Sequence, residues 1–88
     1  MSVKIEVFYS ELCPYCPAAI ELVREVSARF IDIIVEEVNT STSEGMARAA
    51  GYQIFSVPTI VINGKVEFVG VPDKEKFSKV VKTKLETS

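Results

Sequence analysis

Histidine is missing from this 88-residue chain, and cysteine is nearly so: there are two, Cys13 and Cys16. Zinc takes four nitrogen or sulfur ligands in structural sites, so one chain could hold it only with carboxylates or a second copy. Two cysteines confined to one C-x-x-C build no disulfide framework and point to catalysis or metal binding. No apolar run approaches the ~20 residues that cross a bilayer, so no membrane partner is expected. Met1-Ser2-Val3-Lys4-Ile5-Glu6 carries charges where a secretory leader needs an apolar run, which predicts a cytoplasmic protein. Positive charge is not in excess: 10 Lys and Arg stand against 12 Asp and Glu, a net charge of -2. Without a basic stripe to neutralise phosphates, nucleic acid is excluded as the main partner. There is no repeat, linker or low-complexity segment, so residues 1–88 read as a single domain. At this length the domain buries one core with a thin margin.

What is present is an alternation of strand and helix patterns. Val3 to Tyr9 is β-branched and aromatic and reads as a strand, with Val3, Ile5, Val7 and Tyr9 on one face and Phe8 on the other. Ala18 to Phe30 reads as a helix whose stripe is Ala19, Leu22, Val23, Val26 and Phe30. Pro14 and Pro17 are tolerated only before or within a first helical turn, which places the helix start close to Cys13. A second strand is predicted near Ile33–Val38. Ser41 and Glu44 fit a capping box for a short helix over Glu44 to Ala50, with Gly51 as its C′ residue. Pro58 opens a third strand, Thr59 to Ile62. Asn63-Gly64 is a hairpin turn, because both residues accept positive φ. Lys65 to Val69 returns as an edge strand, with Val66 and Phe68 on one face and Lys65 and Glu67 on the other. Gly70-Val71-Pro72-Asp73 turns into a last helix, Lys74 to Leu85, with Asp73 as its cap and Phe77, Val80, Val81 and Leu85 as its stripe. The order is βαβαββα, which makes an α/β domain with a four-stranded mixed sheet and helices on both faces.

Cys13-Pro14-Tyr15-Cys16 at the end of the first strand, Val57-Pro58 before the third, and the Gly70–Asp73 turn resemble the thioredoxin fold in the same order. The resemblance covers essentially the whole chain. Cys13-Pro14-Tyr15-Cys16 looks like the active-site tetrapeptide of glutaredoxins. The wider string through Pro17-Ala18-Ala19, with Val57-Pro58-Thr59-Ile60-Val61-Ile62-Asn63-Gly64, looks like small thioredoxin/glutaredoxin-like proteins of archaea. The resemblance implies a cis bond at Pro58 that faces the dithiol and exposes the Val57 backbone to an extended substrate. Two departures matter. Thioredoxins carry a buried Asp six residues before the first cysteine, and here that position is Val7. Glutaredoxins use a basic residue before the first cysteine and a Gly pair ahead of the Asp turn. Here Glu11 and Leu12 precede Cys13 and Val69-Gly70 replaces the pair, which argues against glutathione as a partner.

The spacing itself suits thiol–disulfide exchange. Residues i and i+3 of a helical turn lie about 5–6 Å apart, which matches a disulfide. Cys13 at a helix cap would face free N–H groups that stabilise a thiolate, while Cys16 lies one turn in. Cys13 is therefore expected to be the nucleophile and Cys16 the resolving thiol, with Pro14 and Tyr15 shaping the loop; the resemblance implies that Val57 and Pro58 bind substrate. The reading is a protein disulfide oxidoreductase with no cofactor beyond the redox-active Cys13–Cys16 disulfide and no metal. Its expected partners are protein disulfides and an upstream thioredoxin-type reductase, and it is expected to act as a monomer. Two alternatives stay open: a glutathione-linked glutaredoxin, and a metal- or cluster-binding module or dedicated electron carrier.

Overall fold

Both faces of the first strand are covered, and this decides the architecture. In the computed structural model, which describes residues 2–87, the elements are β1 (Val3–Tyr9), α1 (Cys16–Ser27), β2 (Ile33–Asn39), α2 (Ser43–Gly51), β3 (Thr59–Ile62), β4 (Lys65–Val69) and α3 (Lys74–Thr87). The sheet order is β2-β1-β3-β4. β1 and β2 run parallel, with Val3 opposite Ile33; β3 is antiparallel to β1, with Ile5 opposite Ile62. β1 and β3 are therefore central, and they are the strands whose residues are almost all buried.

The two faces differ in how they are filled. On one, Val3, Ile5, Val7, Ile60 and Ile62 pack beneath Ala19, Val23 and Val26 of α1 and Phe77 and Val81 of α3. Leu22 of α1 and Phe30, three residues beyond its end, join the edge of this cluster, so the predicted apolar residues pack together although Phe30 is not on the helix. On the other face, Phe8, Val38 and Val61 pack under Ala49 of α2, with Tyr52, Ile54 and Val57 at the margin. The architecture is thus the expected mixed α/β sheet, with two helices on one face and one on the other.

Several boundaries depart from the sequence expectation. α1 spans Cys16–Ser27 rather than Ala18 to Phe30; residues 28–32 form turns, and Asp32 takes a positive φ of 63° just before β2. β2 continues one residue past Val38, and α3 runs on past Leu85 to Thr87. No Ser41–Glu44 capping box forms. Thr42 is the N-cap of α2, and its Oγ1 accepts the Gly45 N–H at 3.0 Å, while Ser41 Oγ accepts the Glu11 N–H at 3.3 Å. Gly51 is the last residue of α2, not its C′ residue; the left-handed conformation falls to Gln53, with φ 59°. The Asn63-Gly64 turn has the expected positive φ at both residues, 51° and 81°. β4 carries a bulge: Ile60 pairs with Phe68 but the next residue, Val61, pairs with Val66. Glu67 is left without an opposite number, so Val66 and Phe68 do not share a face as simple alternation would have them. Phe68 meets Phe77 edge-on at 5.8 Å, while Val66 is exposed.

Candidate active site

Everything that carries chemistry lies at one end of the central strands. β1 delivers the chain to Tyr9, and residues 10–15 loop back before α1 begins. The loop is tied down at two points: the Cys13 N–H donates to the Ser10 carbonyl at 3.4 Å, and the Glu11 N–H donates to Ser41 at 3.3 Å. Tyr15 is the N-cap of α1 but supplies no side-chain cap. The first-turn N–H groups therefore remain unsatisfied by a cap and face the loop. Pro17 sits in that first turn, where its missing N–H costs nothing. Cys13 does not itself occupy the cap, as the spacing had suggested; it precedes Tyr15 by two residues. The helix dipole consequently reaches it across the loop rather than from its own turn.

Cys13 and Cys16 are joined as a disulfide with a Cα–Cα separation of 5.4 Å, the ordinary span for such a bond. Cys16 is 1% exposed and packs into the domain, while Cys13 is only half-buried. Cys13 Sγ lies 3.7 Å from the Val57 carbonyl oxygen. The Val57–Pro58 bond is cis. The Pro58 carbonyl accepts the Gly70 N–H at 2.8 Å, and Thr59 Oγ1 donates to the Ser56 carbonyl at 2.7 Å. These bonds hold residues 56–58 and the turn at Gly70 against each other.

Of the residues singled out from the sequence, Cys13, Cys16, Val57 and Pro58 are brought together. Pro14 and Tyr15 lie on the open side of the dithiol, both exposed. Asp73 caps α3, its Oδ1 accepting the Glu75 N–H at 3.3 Å.

Two grooves lie at this end of the sheet; the first includes both sulfurs, and the second shares Ser10 with it and includes Val57, whose carbonyl faces Cys13. One, of about 630 Å³, runs between the loop and α1 and includes Glu11, Cys13, Cys16, Ile20 and Glu21. The other, of about 460 Å³, is mostly apolar; Met46, Ala49 and Ala50 of α2 form one wall and Ile54, Phe55 and Val57 the other. Leu12, at 95% exposure, and Phe55, at 93%, stand out from the surface. Sequence reasoning missed this apolar rim. Phe55 reads as part of an apolar run leading to Pro58, and nothing local shows that it points outward.

Sequence reasoning also missed a buried carboxylate. Glu6 is 3% exposed on the sheet face under α2. It is held by Arg48, which also pairs with Glu36, and by Tyr52, whose hydroxyl donates to Glu6 Oε1 at 2.8 Å. Hydrogen bonding to Glu6 and burial push the Tyr52 hydroxyl above its usual pKa. The two carboxylates push the Arg48 guanidinium up, chiefly through its bond to Glu36, and Arg48 holds Glu36 below the usual carboxylate range. Val7, at the position where thioredoxins carry Asp, is fully buried in the apolar cluster under α1. Glu6 does not replace that Asp, because it faces the opposite side of the sheet. Among the described residues no group of three or more His, Cys, Asp or Glu could hold a metal, and no helix is long and apolar enough to cross a membrane.

The chain matches a family model described as "Thioredoxin domain" over residues 3–82. It is 48% identical over 84 residues to a protein named thioredoxin from Methanocaldococcus jannaschii, covering 94% of this chain and 96% of that one. It is 44% identical over 87 residues to a probable thioredoxin from Methanothermobacter marburgensis, covering 98% of this chain and all of that one. Among solved structures, a mutant thioredoxin from Halobacterium salinarum superposes with a TM-score of 0.77 at 24% identity, over 93% of this chain and 74% of that one.

Proposed function

The chain belongs to the thioredoxin family and is a protein disulfide oxidoreductase, and from that premise we propose that Cys13 attacks and Cys16 resolves. The asymmetry of the two sulfurs carries this reading: Cys13 is half open beside the Val57 carbonyl, whereas Cys16 is 1% exposed. In the reduced protein the Cys13 thiolate, favoured by the nearby start of α1, attacks one sulfur of a target disulfide. A mixed disulfide forms and the first target thiol leaves. Cys16, deprotonated in turn, attacks Cys13 Sγ, restores the Cys13–Cys16 bond and releases the second target thiol. Two electrons pass from the dithiol to the target, and a thioredoxin-type reductase returns them.

The target is a protein segment in extended form. The Val57 backbone beside Cys13 offers it a strand-like pairing edge, and the apolar groove and Phe55 receive its side chains. Pro14 and Tyr15 set the shape and exposure of the loop. Glutathione is not the favoured reductant, because Glu11 and Leu12 stand where a basic contact would be needed and Asp73 is engaged as a helix cap. The complete dithiol site within one chain supports action as a monomer. The cytoplasm is the compartment that keeps such a dithiol reduced.

Cys16→Ser, incubated with oxidised target proteins, is expected to accumulate mixed disulfides through Cys13. Cys13→Ser is expected to trap none. The reverse pattern overturns the assignment.

A further inference from the structure

α2 has little apolar attachment to the sheet. Its buried residues are Gly45 and Ala49, and neither has a large side chain. The rest of its grip is polar and centred on Glu6. Arg48 on α2 bridges Glu6 of β1 and Glu36 of β2. Tyr52, the C-cap residue of α2, donates its hydroxyl to the same carboxylate and sets its ring edge-on against Phe8 at 5.8 Å. Tyr52 does not line the apolar groove; it lies behind it, packed on the same small cluster as Ile54 and Val57. The Ile54 N–H donates back to the Ala49 carbonyl at 2.9 Å, so the chain leaves α2 through a turn whose placement depends on Tyr52. Both walls of the groove, Met46 with Ala50 on α2 and Phe55 with Val57 beyond it, are thus carried by segments that Glu6 anchors.

We propose that Tyr52 and Arg48, by gripping the buried Glu6 carboxylate, are positioning residues that set the width of the apolar groove and the place of the Val57 backbone. They act on the binding of protein targets and leave the dithiol chemistry untouched, since Glu6 faces away from α1 and Cys16. The proposal rests on the reading that targets lie along Val57. An isolated small disulfide needs only Cys13, whereas a protein segment needs both walls, and a shift of about 1 Å in a positioning element costs binding and alignment.

Tyr52→Phe removes one hydroxyl and keeps the ring. Steady-state reduction of insulin would be compared with the reaction of the reduced protein with the small aromatic disulfide 5,5′-dithiobis(2-nitrobenzoate), well below the melting temperature. The expected result is a KM for insulin raised roughly fivefold, with kcat and the rate on the small disulfide within about twofold of the parent and the dithiol reduction potential unchanged. Glu6→Gln is expected to move the same quantity in the same direction. The double variant is expected to do no worse than the more affected single, because both act through one contact. Unchanged kinetics on insulin in both single variants overturn the proposal. So does a parallel fall on both substrates, or a shifted potential, which would mean that the network acts on the dithiol itself. If the parent protein reduced the small disulfide but not insulin, the fault would lie in the protein-target reading and not in Tyr52.

Discussion

Gly45→Ala offers a sharp test, because helix propensity and tertiary geometry predict opposite signs. Replacing Gly by Ala inside a helix ordinarily stabilises by about 0.8–1 kcal/mol, through reduced backbone freedom in the unfolded chain. At Gly45 an added Cβ would overlap the Asn39 carbonyl oxygen, sit 2.6 Å from the carbonyl carbon and 3.0 Å from Thr42 Oγ1. The obstacle is backbone at the end of β2, so no side chain can swing aside; α2 must withdraw by roughly 1.5–2 Å to restore ordinary contact. That movement strains the turn that starts the helix. There the Thr42 N–H and Oγ1 both donate to the Asn39 carbonyl, at 3.3 and 2.9 Å, and Oγ1 accepts the Gly45 N–H at 3.0 Å. Overpacking costs about 1–3 kcal/mol and a weakened cap about 1 more. The net expectation is a loss of about 2 kcal/mol, or a fall of ~10 °C in melting temperature for a domain of this size. Urea unfolding followed by circular dichroism would show it as a lower midpoint at unchanged slope. A midpoint equal to the parent's or higher would refute the close approach of α2 to β2.

The same attachment can be probed through its charges. Arg48→Met is expected to cost about 3 kcal/mol, because it leaves the Glu6 carboxylate buried with only the Tyr52 hydroxyl remaining of its two side-chain partners. Adding Glu6→Gln should recover part of that loss in a double-mutant cycle, and a cost below ~1 kcal/mol for Arg48→Met would show that the pair is screened like a surface one. In alkali, the raised pKa of Tyr52 favours the neutral phenol in the folded state. Its contribution is complete below pH 10 and is lost as the pH rises through the folded-state value. Unfolding curves should therefore show the parent losing more stability above pH 10 than Tyr52→Phe does, and parallel curves would contradict it.

The parts of the molecule legible in the sequence are those set by short-range pattern. Val3, Ile5 and Val7 alternate, Ala19, Val23 and Val26 recur at helical spacing, and Asn63-Gly64 takes up positive φ with no help from elsewhere. Cys13-Pro14-Tyr15-Cys16 is legible for the same reason: its span is covalent and local. Capping was less legible, since Ser41 and Thr42 offer similar hydroxyls and the choice between them turned on Ser41 being drawn to the Glu11 N–H thirty residues away. The bulge at Glu67 depends on how β4 meets β3 and leaves no mark in either strand alone.

Glu6 shows where the division falls. In the strand pattern it is a charge between Ile5 and Val7, and its natural reading is a residue facing water. Only the docking of α2 over that face buries it and supplies Arg48, forty-two residues on, as its counter-charge. Periodicity and covalent spacing are properties of neighbours, so the order of elements, the dithiol with Cys13 as its more open sulfur, and the alternation of β1 were already legible in the chain. Only the docking of the helices settled which apolar residues form the rim around the sulfurs and which charge is buried beneath α2. Those depend on solvent exclusion and on pairing between residues far apart in the chain, and neither exists until the helices are laid on the sheet.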